Sequence, residues 1–266
     1  MSNKKIFIGA SLVLFFGAFV LGANAYHAWG GFHWGRTANP FKLELGDNVS
    51  SAWDGYLATT ASDWSASLVL DTLVKAGKTK PRVCKAINGR VEVCSDRYGV
   101  NGWLGVAQVW VNGSHIVKGT VKVNDTYFNT STYNTPAWRN LVMCQEVGHT
   151  LGLDHQDKIF DNPNLGTCMD YTNDPSANQH PNQHDYDELE AIYAHLDSVN
   201  TILASGTEEG GNGKGKPAEV GQDIDADDPS AWGEVMRKDA QGKNSLFVRH
   251  LGSNEKIFTF VVWTQE

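Results

Sequence analysis

Apolar and polar positions along the chain fall into two periods. Residues 41–45 alternate as a short strand, and from 47 to 64 the residues Val49, Trp53, Tyr56, Leu57, Ala61 and Trp64 recur at helical spacing. Residues 68–74 read as a second strand, 83–93 alternate around Asn88-Gly89 as a hairpin, and 104–111 and 116–123 read as strands joined near Asn112-Gly113. Thr135-Pro136 supplies an N-cap with proline at the first helical position, opening a helix that runs to about Leu151 and stops at Gly152. A stretch rich in Asn, Asp and Pro extends to about Gln183. Asp185 with Glu188 then reads as a capping box, and Tyr186, Leu189, Ile192, Tyr193 and Leu196 stripe a last helix. This order predicts an α+β domain.

The flanks divide the chain further. Lys4 and Lys5 precede an uncharged run over 6–22, and Ala23-Asn24-Ala25 offers a small-x-small cleavage pattern, so 1–25 reads as a signal peptide and the protein as exported. An uncleaved N-terminal anchor is the alternative. The main domain spans 26–204. Residues 205–229, rich in glycine and acidic residues, read as a flexible linker, and 230–266 as a tail whose segments 246–251 and 256–263 alternate as a hairpin too small to fold alone. Docking on the main domain follows.

Without Lys4 and Lys5 the balance is 20 basic against 30 acidic residues, −10, which argues against nucleic acid as a partner. Nothing after the first segment is long and apolar enough to span a membrane, so no membrane association is expected after cleavage, and the mature protein is expected as a monomer. Nine Trp, eight Tyr and eleven Phe suggest a stiff aromatic interior. Four cysteines in an exported chain imply two disulfides. The hairpin signal pairs Cys84 with Cys94 and leaves Cys144 for Cys168; a thiolate-ligand role for the second pair is the competing reading.

Chemistry concentrates at Gln145-Glu146-Val147-Gly148-His149-Thr150-Leu151-Gly152-Leu153-Asp154-His155. Gln145 and His149, four apart, project from one helix face, while Met143, Val147 and Leu151 line the opposite one. Glu146 lies beside His149, placed to take a proton from a metal-bound water. Gly152 ends the helix and lets the chain return His155 to the same point in space.

This run resembles the zinc motif of the metzincin clan of metallopeptidases, H-E-x-x-H-x-x-G-x-x-H, with Gln145 in place of the first histidine. Gly166-Thr167-Cys168-Met169-Asp170-Tyr171 resembles the clan's Met-turn. The resemblance implies a zincin-like mixed twisted sheet with an active-site helix, a Met-turn and a C-terminal helix. It implies one catalytic Zn2+ held by His149, His155 and Gln145, Glu146 as general base and then acid, Tyr171 steadying the oxyanion, and Met169 and Gly152 as structural supports. It also implies a protein or peptide substrate lying extended along an edge strand, placed at 104–111. Gln145 leaves three arrangements open: ligation through its amide oxygen, completion of the shell by His33, His180 or His184, or a fold that binds peptide or cell-wall material without hydrolysis. His115, His195 and His250 read as ordinary strand, helix and tail residues. Asp157, Asp161, Asp170 and Asp174, with Asn162 and Asn164, are acidic enough for Ca2+ but lack the spacing of a calcium loop, and read as a solvated turn.

Overall fold

The computed structural model describes residues 27–202 and 227–265. The signal peptide read over 1–25 and most of the linker read over 205–229 lie outside the described residues. The elements are β1 (His33–Trp34), β2 (Phe41–Asn48), α1 (Asp54–Trp64), β3 (Leu70–Ala76), β4 (Val91–Asp96), β5 (Trp103–Asn112), β6 (His115–Asn124), α2 (Asp125–Phe128), α3 (Pro136–Thr150), α4 (Gln183–Ile192), β7 (Glu234–Lys238), β8 (Asn244–His250) and β9 (Glu255–Trp263). One mixed sheet runs β3-β2-β4-β6-β5-β9-β8-β7, with β1 beside β6. Strands β2, β3, β4 and β6 are parallel; β5 folds back antiparallel on β6, and β9, β8 and β7 continue antiparallel from there. Among the described residues no helix is long and apolar enough to cross a membrane.

The sequence of β5 explains its place. Leu-Gly-Val-Ala-Gln-Val-Trp-Val is a nearly unbroken apolar run, buried from Trp103 to Val111, and such a strand needs cover on both faces and both edges. It receives β6 on one side and β9 on the other, so the substrate edge expected at 104–111 is corrected: β5 is an inner strand, held to β9 from Trp103↔Trp263 to Asn112↔Glu255. The outer edge is β7, short, largely exposed and broken by register shifts, features that discourage further strand addition.

Helix α3 packs across the sheet. Thr135 caps it, its hydroxyl accepting from the Trp138 amide at 3.3 Å, with Pro136 opening the first turn. The aromatic N-terminal stretch serves this helix. Trp29 and Trp34 donate their indole N–H groups to the carbonyls of His149 and Thr150, each at 2.9 Å, satisfying acceptors left over in the last turn. Trp64 of α1 donates to the Cys144 carbonyl at 3.2 Å.

Three expected elements differ. The helix expected over 47–64 starts at Asp54 because β2 continues to Asn48, whose neighbour β4 extends to the same level. The stretch 83–93 is no hairpin: both edges of β4 are taken by β2 and β6, and the chain before it turns at Lys80, whose carbonyl accepts from the Cys84 amide. The last helix begins three residues early and ends at Ile192, because Asn182 is the cap and Asp185 the third helical residue of its capping box. Cys84 is bonded to Cys94 and Cys144 to Cys168. The second bond closes a loop of sequence separation 24 and contributes about 3 kcal/mol in the loop-closure description.

Candidate metal centre

Helix α3 carries Gln145, Glu146 and His149 into the space beneath β5 and β9, all of them buried. Gly152 follows at φ +104°, a left-handed conformation that suits glycine, and a Cβ there would meet the Phe32 carbonyl oxygen at 2.7 Å. The chain turns at this point and returns His155. The two imidazoles meet with their Nε2 atoms 3.1 Å apart. His149 Nδ1 lies 2.9 Å from the Leu153 carbonyl, which only accepts, so Nδ1 holds the proton and the neutral ring presents a bare Nε2. Burial pushes both histidines below their ordinary range, His149 further with His155 beside it.

The neighbouring polar atoms lack partners. Gln145 Nε2 donates to the Cys168 carbonyl at 2.8 Å, which fixes the amide and leaves Oε1 buried and unpaired. Both carboxyl oxygens of Glu146 are likewise buried without a hydrogen bond of ordinary geometry. Burial drives that carboxyl well above the usual range, opposed by the backbones of Ala107 and Val262. Tyr171 lies between rings, 4.1 Å from His155 and 4.7 Å from Phe160 centre to centre, and its hydroxyl is unpaired. Burial pushes its pKa up, so it stays a donor. Met169 supports the helix from below: a Cβ on Gly148 would fall 2.6 Å from its sulfur. Buried polar atoms are nearly always satisfied, and this many orphans around two facing imidazoles match the donor set of a bound cation. Two nitrogens and an amide oxygen fit zinc, with a carboxylate beside them.

The C-terminal tail closes this space. Phe260 of β9 stacks on His149, centroids 4.2 Å apart and planes 13° apart. Ser245 of β8 faces the Tyr171 hydroxyl. Arg237 of β7 pairs with Asp154, next to His155. Burial raises the Asp154 carboxyl, but His155 and Arg237 outweigh that and hold it well below the ordinary range. Periodicity indicated a docked hairpin but gave no sign of where it docks.

The remaining site expectations resolve individually. His33, His180 and His184 are engaged elsewhere: His33 near Asp197, His180 on Asp63 at 2.7 Å, and His184 stacked on His27. Cys144 and Cys168, being bonded to each other, are not thiolate ligands. His195, expected in the last helix, lies beyond its end at Ile192, and with His115 it contacts Asp197. The acidic loop spends its groups internally, Asp174 capping a 3-10 turn at Ser176 and Asp157 accepting from the Ile159 amide and the Asn162 side chain. Asp170 accepts from the Leu165 amide at 2.9 Å and Asn178 at 2.8 Å, and burial pushes it up to about 6. A carboxyl raised above its unfolded value stabilises the fold fully below about pH 4 and loses that contribution as pH rises through about 6, up to about 3 kcal/mol. Thermal melts of the full chain should therefore fall relative to Asp170→Asn across that window, and parallel curves would show that Asp170 titrates normally.

No family model matches the sequence, and no curated protein matches it. Among solved structures the chain is similar to high choriolytic enzyme 1, a hatching enzyme zinc-protease from the medaka fish Oryzias latipes. The identity is 9%, the TM-score 0.34, and the match covers 62% of this chain and 96% of that one.

Proposed function

We propose that the protein is an exported, zinc-dependent endopeptidase of the metzincin type whose cleft is held shut by its own C-terminal strands. The observation that carries the reading is the pair of buried imidazoles with Nε2 atoms 3.1 Å apart, on a helix that also buries the unpaired oxygens of Gln145 and Glu146. His149, His155 and the Gln145 oxygen hold the ion, with Met169 in a Met-turn beneath it. Zinc supplies the Lewis acid that makes a water nucleophilic near neutral pH. With a cation's charge beside it to keep its carboxyl ionised, Glu146 would take the proton of the attacking water and deliver it to the departing amine. Tyr171 donates a hydrogen bond to the oxyanion as the carbonyl becomes tetrahedral. Peptide would align along β5 once β9 leaves it, in the manner of strand addition.

Closure by β9 equally supports a second reading, a module with this fold that does not hydrolyse. Zinc content separates the two from the start. His149→Ala and His155→Ala should each lower bound zinc by one equivalent, and Gln145→His should preserve or tighten binding because imidazole is the better donor. Unchanged zinc in both alanine variants would remove the ion, and the peptidase with it. A filled site that cleaves nothing in a broad peptide library after release of the tail would favour the module.

A further inference from the structure

Away from the site just described, three distant segments bring three metal-capable side chains within 4.8 Å of one another, His33 of β1, His115 at the start of β6 and Asp197 beyond α4, with His195 against two of them. Asp197 Oδ1 lies 3.4 Å from His33 Nε2, 3.1 Å from His115 Nε2 and 3.5 Å from His195 Nε2. His33 Nε2 and His195 Nε2 are 3.1 Å apart. Donors held tetrahedrally at about 2.0–2.1 Å from one ion are spaced about 3.3–3.4 Å from each other; the separations from Asp197 and between His33 and His195 bracket that value, while His195 stands outside the trio whose ligand atoms all lie within 4.8 Å of one another.

Tautomers sharpen the point. His33 Nδ1 is 2.9 Å from the Gly31 carbonyl, which can only accept, so Nδ1 carries the proton of the neutral ring. Its Nε2 is then a bare lone pair facing a carboxylate oxygen and another imidazole nitrogen, contacts that a cation in the middle satisfies and that otherwise call for a proton on His195 Nε2. A ring whose outer nitrogen is tied to a carbonyl while the inner one is free is also how ligating histidines are oriented. The second carboxylate oxygen is accounted for: Arg36 reaches Asp197 Oδ2 at 2.5 Å and its amide does so at 3.3 Å, and Arg36 also donates to the Tyr193 and His195 carbonyls. These contacts fix the irregular exit from α4 and with it the position of Asp197.

We propose that His33, His115 and Asp197 form a second metal site, separate from the first, that takes a zinc-class divalent ion in a structural role, with the half-exposed His195 side chain swinging in as fourth ligand. Three imidazoles and one carboxylate suit zinc and not calcium, which prefers oxygen alone. Its position gives it a task. His33 is followed by Trp34, whose indole holds the last turn of α3, so the ion clasps the N-terminal segment to β6 and to the end of α4.

The test is zinc stoichiometry of the full chain, washed at micromolar free metal. A His149→Ala/His155→Ala chain should retain one equivalent, and adding His115→Ala or Asp197→Asn should remove it. Cobalt(II) loaded in its place should show the visible bands of a tetrahedral nitrogen–oxygen site. In the otherwise unaltered chain, His195→Ala, at a half-exposed side chain, should lower bound zinc by one equivalent. Its affinity loss should exceed the roughly 10–100-fold that losing an outer partner of a ligand costs. A folded, doubly disulfide-bonded His149→Ala/His155→Ala chain without zinc, or His195→Ala with undiminished zinc, would leave a protonated histidine as the positive charge and overturn the site.

Discussion

Replacing Phe260 with alanine should raise the rate of peptide hydrolysis by at least about a hundredfold in zinc-loaded protein. Phe260 lies flat on His149 and opposes Ala107 in the β5–β9 ladder, so its burial is spent on keeping the tail over the site. Truncating a buried phenylalanine costs about 3–5 kcal/mol. Where that cost falls on the docked tail and not on the 27–202 region, each 1.4 kcal/mol multiplies the open population about tenfold. Initial rates on a peptide library, with amide exchange at β9 reporting release, decide the matter. Faster exchange without faster hydrolysis would show that the tail guards nothing catalytic. Cutting a protease site engineered into the sequence between 205 and 226 gives a second route, since the severed tail then leaves by dilution.

In that opened background Glu146→Gln should lower turnover by a factor of about a hundred to ten thousand, the usual worth of a placed general base. Zinc content and the melting curve should not fall. The substitution is nearly isosteric, and the glutamine oxygen can still face the Ala107 and Val262 backbone that acts on the Glu146 carboxyl. Hydrolysis at the parent rate would exclude Glu146 from the chemistry, and loss of zinc would make it a structural neighbour of the ligands instead.

Local signals carried the centre of this protein well. The Thr135-Pro136 start and Gly152 stop bound α3 within a residue of its observed ends, because caps act within one turn and are written in adjacent residues. His149 and His155 meet for the same reason: one helix end and one glycine bend place them. What was illegible depends on pairing across distance. His33 and Asp197 are 164 residues apart, and no spacing rule links them or singles out His115 and His195 from surface histidines. The partner of β5 was equally hidden, although its unbroken apolar run over 103–111 already marked it as a strand with neighbours on both sides. Asp185 and Glu188 spell a capping box as well as Asn182 and Asp185 do, and the observed bonds from the His184 and Asp185 amides to Asn182 separate the two.

The register Ala107↔Phe260 joins residues more than half the chain apart, and it dictates an order of events during synthesis. Strands β2 to β6, α3 and both disulfide pairs emerge before any part of β9 exists. Closing so long a loop is slow compared with forming the local contacts that precede it. For an interval the nascent protein therefore exposes an apolar strand edge along β5, open to ion loading and equally open to pairing with another chain. Fast arrival of the last forty residues protects against the second hazard; on the proposed reading, an ion arriving late would have to wait for β9 to open. Yield on refolding should thus depend on when zinc is added.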